Sequence, residues 1–160
     1  MANNYWMIVQ TEENYKITSD RGFDLVGLTK RQRKRAQRIE PEDRLLFYIS
    51  GVKKWVATAY IESECFEDEE IIWESTGNRN ETYPYRAKIR KGIALKPDKY
   101  INGLELGPTL EYTKRWSPKL WYLAFVDTIH LLPQRDFNLI ENEMRRTLKK
   151  KLVEVKSENE

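Results

Sequence analysis

The run Tyr5-Trp6-Met7-Ile8-Val9-Gln10 is the tightest constraint on the fold, because it is rich in aromatic and branched residues and holds no charge, glycine or proline. Its length is that of a strand rather than a helix, and apolar side chains at successive positions mean that both faces are covered. A second block, Glu81-Thr82-Tyr83-Pro84-Tyr85-Arg86-Ala87-Lys88-Ile89-Arg90, again joins rings to a strand-like run, and a dense arginine and lysine segment lies between the two. Flat rings can sandwich a nucleobase while cationic side chains hold the phosphates beside it, which is the physics of reading a single exposed base.

At 160 residues the chain has the length of one domain, enough to bury about two thirds of its unfolded surface. We expect that domain to span residues 1–155, with 156–160 a frayed tail. Hydrophobic residues make up 40% and charged residues 33%, so the chain is globular with a heavily charged surface and not disordered. The net charge of only +3 hides an uneven distribution: cations concentrate between Lys30 and Arg38, acids between Glu62 and Glu70. Local fields therefore matter more than the total. The abundance of Lys, Arg and Glu resembles the surface chemistry of thermophiles. Cys65 is the only cysteine, which excludes an internal disulfide and a cysteine-based metal cluster. No apolar stretch is long enough to span a membrane, and the N-terminus lacks a signal-peptide pattern. A soluble, cytoplasmic protein is expected.

Thr11 is placed to cap a short helix from Glu12. Asp20 to Gly27, with two glycines and scattered apolar residues, reads as a loop folding back over the core. Thr29 and Gln32 fit a capping box for a helix from Lys30 to about Ile39, ending before Pro41. On that helix Arg31, Lys34, Arg35 and Arg38 form a cationic stripe opposite Leu28, Ala36 and Ile39. Leu45 to Ser50 and Trp55 to Ile61 are the next strands. Glu62 to Glu70 reads as an acidic loop, Ile71 to Glu74 as a short strand, Thr76 to Asn80 as a polar turn and Tyr85 to Ile93 as a strand with one solvated face. Lys96 to Pro108 is irregular, with a helical turn at Pro97 to Ile101. Ser117-Pro118 is a helix-start signal, although the apolar Leu120 to Val126 suits helix and strand alike. A final helix begins near Pro133, with Phe137, Ile140, Met144 and Leu148 on its buried face and Lys149-Lys150-Lys151 suited to its C-terminal dipole.

The four aligned cations are a candidate phosphate site, although a solvated helix face carries such residues equally well. Most of the large rings must pack the core. Phe23, Tyr83 and Trp116, set between polar neighbours, have the better placement for a ligand. Catalytic signals are poor: His130 is the sole histidine, so neither a His-Cys dyad nor a multi-histidine metal site assembles around it. The acidic cluster lacks the glycine-punctuated spacing of a calcium loop, and no glycine-rich phosphate loop follows a strand. No metal and no cofactor enter the reading.

With those residues in place, the chain resembles an EVE domain, a member of the PUA-like superfamily that also holds the YTH readers of methylated adenine and the ASCH domains. The resemblance rests on Tyr5-Trp6-Met7-Ile8-Val9, Val26-Gly27 before the basic segment, and Ile39-Glu40-Pro41-Glu42-Asp43-Arg44-Leu45-Leu46-Phe47-Tyr48. Glu81-Thr82-Tyr83-Pro84-Tyr85-Arg86 and Lys114-Arg115-Trp116-Ser117 complete it, in that order and spacing. It implies an α+β fold, a PUA-like mixed barrel-like sheet of five to six strands with flanking helices. It also implies a base pocket drawn from Trp6, Phe23, Val26, Gly27, Ser50, Tyr83, Pro84, Arg115, Trp116 and Ser117. Many relatives place a tryptophan immediately before the loop glycine where this chain has Val26, which leaves Phe23 or Trp116 to supply the ring.

The function so implied is non-catalytic binding of DNA or RNA, with a modified base in the pocket and Arg31, Lys34, Arg35 and Arg38 on the backbone. Two alternatives stand beside it: a general RNA-binding module in tRNA or ribosome metabolism, and an ASCH-like hydrolase, against which the lack of a nucleophile-base pair argues.

Overall fold

The computed structural model describes residues 4–75 and 82–158; the expected turn at Thr76 to Asn80 and the leading Glu81 of the second block lie outside them. The main path of the sheet runs β2 (Leu25–Leu28), β6 (Tyr85–Ala94), β4 (Lys54–Ile61), β3 (Arg44–Ile49), β1 (Tyr5–Gln10), β8 (Ile129–Leu132). Two short strands sit off that path, β5 (Phe66–Glu67) on β6 and β7 (Ile101–Asn102) on β4. β1 and β3 are parallel and every other pairing is antiparallel, so the sheet is mixed. Register shifts between Phe47 and Tyr48 and between Ala57 and Ala59 bend the central strands, and local bends of that kind curl a sheet. The result is a six-stranded half-barrel within an α+β fold.

β1 is the strand covered on both sides. Trp6 and Ile8 enter the inner core with Leu45, Phe47 and Ile49 of β3, whereas Met7 joins an outer core with Leu46, Tyr48 and Trp55. α1 (Glu12–Asp20), started by the Thr11 side chain accepting from the Asn14 amide at 3.2 Å, sends Tyr15 into the inner core. The outer core is closed by α3 (Gly103–Leu106), the 3-10 turns through Pro118–Phe125, and α4 (Gln134–Glu158). Phe137, Ile140 and Met144 are fully buried there, while Leu148 is exposed. α4 continues to Glu158, so Lys149 to Lys151 stand before its last turns rather than at its terminus. No helix among the described residues is long and apolar enough to cross a membrane.

Three expected elements take another form. The basic segment is a 3-10 turn, Lys30–Gln32, followed by a single helical turn, α2 (Arg33–Ala36). Thr29 makes no side-chain cap there. Six cations between Lys30 and Arg38 without an acid among them repel at helical spacing, and a helix this short is marginal in any case. The expected loop before Gly27 contains β2, which pairs with β6. Ile71 to Glu74 forms no strand, because a side chain takes the place of a neighbouring strand: Asn14 Oδ1 accepts from the Glu74 amide at 2.8 Å and Asn14 Nδ2 donates to the Glu74 carbonyl at 2.9 Å.

The start of β1 is tied to the turn before β3 by Asp43. Its buried carboxylate accepts from Trp6 Nε1 at 2.9 Å and from the Glu40 and Asn4 amides, each at 3.1 Å. Asp43→Ala should therefore lower the free energy of urea unfolding by about 3 kcal/mol, since it leaves a buried indole N–H without an acceptor.

Candidate nucleic-acid interface

At the open end of the half-barrel lies a cavity of about 190 Å³. One side is formed by the end of β1 and the start of α1, through Val9, Gln10, Thr11 and Asn14; Gly27 of β2 and Ser50 after β3 border it. Trp73 and Tyr83, from the connection between β5 and β6, form the aromatic wall, and Val126 to Thr128 form the rim before β8. A cavity of roughly 150 Å³ accommodates a benzene-sized ring, so this one matches a nucleobase and not a whole nucleotide.

The aromatic wall is held by polar contacts. Trp73 Nε1 donates to the buried Thr18 hydroxyl at 3.0 Å, and the Asn14 clasp on Glu74 fixes the next residue. Gly27 makes the ring position possible: a Cβ there would lie 2.9 Å from Trp73 Cε3 and 3.0 Å from Tyr83 Cβ, inside van der Waals contact. Tyr83 takes a left-handed backbone, φ 52°, an uncommon conformation for a bulky residue and one that accompanies functional strain. The Trp73 and Tyr83 rings are 6.2 Å apart and inclined at 65°. They make a corner in the wall, both rings largely buried, with the Arg86 guanidinium 5.4 Å from the Trp73 ring.

The rim is set by His130. Its Nε2 lies 2.8 Å from the Asp127 carbonyl and its Nδ1 2.8 Å from Tyr112 Oη. A carbonyl only accepts, so Nε2 carries a hydrogen, and in the neutral ring Nδ1 accepts from the tyrosine. Burial, which leads, holds the His130 pKa below its ordinary value, as does the Arg35 charge, against opposing effects of the Asp127 carbonyl and carboxylate. The Asp127 carboxylate is 3.7 Å from Arg35, which also donates to the Ile129 carbonyl at 2.6 Å. Asp127 lines the cavity, a groove with Arg31, Lys34 and Arg35, and a third depression with Arg115 and Trp116.

Of the residues expected in the pocket, Gly27, Ser50 and Tyr83 line this cavity. Trp6 is fully buried on Asp43, and Phe23 and Val26 are inner-core residues; Phe23 packs edge-on against Tyr15 and Phe47. They are core because each is needed to fill the curl of the sheet. Pro84 is buried, with its carbonyl bonded to the Asp68 amide. Arg115 and Trp116 flank the third depression, with Trp116 43% exposed, and Ser117 is an exposed residue at the start of the 3-10 turns. Arg31, Lys34 and Arg35 share a groove, whereas Arg38 lies apart, 6.0 Å from the Trp6 ring. No three His, Cys, Asp or Glu side chains gather as a metal site among the described residues.

Trp73, Asn14 and Gln10 were not singled out by sequence. Trp73 follows two isoleucines, so it reads as part of a short strand and lacks the polar neighbours on both sides that mark Tyr83. Gln10 carried a subtler signal, a polar residue closing an otherwise apolar strand.

The curled sheet and its open-end cavity place the molecule in a known class of fold. It is similar to the Mmi1 YTH domain, with TM-score 0.64 at 9% identity, covering 91% of this chain and 90% of that one. The YTH domain of Zygosaccharomyces rouxii MRB1, solved in complex with N6-methyladenosine RNA, gives TM-score 0.62 at 17% identity, covering 88% and 86%. By sequence the chain belongs to the EVE domain family, whose model matches residues 4–143. The UPF0310 protein PH1033 of Pyrococcus horikoshii is 29% identical over 150 residues, 86% of this chain and 96% of that protein.

Two predictions follow from the geometry of the walls. Gly27→Ala should displace Trp73 and destabilise the fold by about 1–3 kcal/mol, read by denaturant unfolding and by altered near-ultraviolet dichroism. For His130, a folded pKa below the unfolded value of about 6.5 means that the unfolded chain binds the extra proton. The stability it contributes is complete above that value and is lost as pH falls through it. The melting temperature of His130→Gln should accordingly fall less than that of the parent between neutral and mildly acid pH.

Proposed function

We propose that this chain is a non-catalytic nucleic-acid binding domain that takes one unpaired or extruded modified base into the cavity walled by Trp73 and Tyr83. Arg31, Lys34 and Arg35 engage the adjoining phosphates, with Arg38 as an outlying contact. The observation that carries this reading is adjacency: a base-sized cavity with an aromatic corner borders a cationic groove, and Asp127 lines both. A strand crossing Asp127 would present a base to one side and its backbone to the other. Membership of the EVE family and the likeness in fold to a YTH domain solved with N6-methyladenosine RNA support it.

The energies are compatible. Extruding a base costs a few kcal/mol, and stacking returns about 1–3 kcal/mol per base. The phosphate contacts add a salt-dependent, sequence-independent share. Selectivity then falls to the polar atoms of the cavity wall.

Trp73→Ala should reduce affinity for an oligonucleotide carrying a modified base about tenfold or more while leaving weak, salt-sensitive binding. Because Trp73 is buried, the variant also loses about 3–5 kcal/mol of stability, so binding is compared below its melting temperature. A modified-base preference that survives in the folded variant would sink the cavity assignment. Replacing Arg31, Lys34 and Arg35 together with Gln should flatten the slope of log affinity against log salt by about 2–3, and an unchanged slope would reduce the groove to solvated surface.

A further inference from the structure

Of the five tryptophans, Trp6, Trp55, Trp73 and Trp121 are each 2% exposed or less, whereas Trp116 is 43% exposed. Each buried indole has a hydrogen bond or a ring contact. Among the described residues, none sets a ring, a cation or a hydrogen-bond acceptor on the Trp116 indole. One exposed apolar side chain is ordinary surface, but this one has company: Val126, 76% exposed, borders the same depression of about 510 Å³, as do Lys114 and Arg115.

That depression adjoins the site already described. Val126 and Asp127 border both it and the base-sized cavity, and Asp127 also borders the groove of Arg31, Lys34 and Arg35. The two carboxylates in the depression are paired, Asp127 with Arg35 at 3.7 Å and Glu111 with Lys114 at 3.6 Å. Arg115 is exposed and has no carboxylate partner among the described residues. An open ring face beside a free cation is the pairing that holds a nucleotide of a single strand, since every base has a π-face and every nucleotide a phosphate.

Extruding a base also uncovers the face of its neighbour in the stack. Resting on the reading given above, we propose that Trp116 is the platform for that neighbouring base, with Arg115 and Lys114 serving its phosphate. The unit bound is then a modified base together with one adjoining nucleotide. Stacking on a ring tolerates any base, so this subsite strengthens binding while the cavity alone reads the modification.

The probe is a short single-stranded RNA with N6-methyladenine or N4-methylcytosine at its centre and uracil on both sides. It is prepared also with either neighbour abasic and with the central base unmodified. The parent should lose affinity about fivefold or more when one particular neighbour is abasic, and little when the other is. Trp116→Ala should weaken the intact probe by a similar factor, become indifferent to that abasic site, and keep the parent's ratio of modified to unmodified affinity. Trp116→Tyr should retain most of the affinity. The abasic comparison needs no variant, so it decides the matter even if Trp116→Ala fails to fold. Equal parent affinity for intact and abasic probes, or a folded Trp116→Ala that binds as the parent does, overturns the inference. So does loss of the modified-base preference in that variant, which would put the ring in the modified base's own site, or a changed oligomeric state with unchanged affinity, which would make it a protein contact. If Trp73→Ala still removes the modified-base preference in those cases, the cavity reading stands without it. Failure of the parent to bind any of the probes overturns both.

Discussion

Everything in this fold hangs on a single strand that has no solvent side. β1 pairs in parallel with β3 and antiparallel with β8, and its side chains supply one core on each face of the sheet. A one-residue slip would exchange the two columns and drive Met7 into the space built for Trp6 and Ile8. The Asp43 carboxylate, receiving the Trp6 indole N–H, fixes that register where the strand begins. The other end of the same column is Gln10, so the strand that organises the core also delivers a polar group to the cavity.

The cavity wall is built from groups that have little regular structure of their own. Trp73 sits on an irregular segment, yet its indole is bonded to Thr18 and its neighbour Glu74 to Asn14, both on α1. A helix of nine residues thereby serves as a rigid frame for a connection that would otherwise be loose. On another side of the cavity the buried His130 donates from Nε2 to the Asp127 carbonyl. Hydrogen bonds from ordered elements do here what strand pairing does elsewhere.

The strands were legible in sequence because burial on both faces leaves a continuous apolar signature, as in Tyr5 to Gln10 and Leu45 to Ser50. The family resemblance located the fold, and Gly27, Ser50 and Tyr83 were named from it. What the sequence hid was tertiary. Trp6, Phe23 and Trp73 are all buried rings, and only the tertiary path decides which of them borders the cavity. The partners of Trp73 lie 55 residues away at Thr18, a separation no local pattern records. The basic helix was overdrawn because a capping pattern and periodic cations outweighed mutual repulsion among those cations.

The contact between Trp73 and Gly27 has a consequence for how this protein can change. The ring rests against main chain, so that border of the cavity is set by the dimensions of a peptide unit and not by another side chain's rotamer. Inner-core residues that do not line the cavity, such as Leu45 or Val56, can exchange for others of similar volume without carrying a change through to that border. The cavity is in this sense insulated from drift in the core, and its width becomes a property of the backbone path.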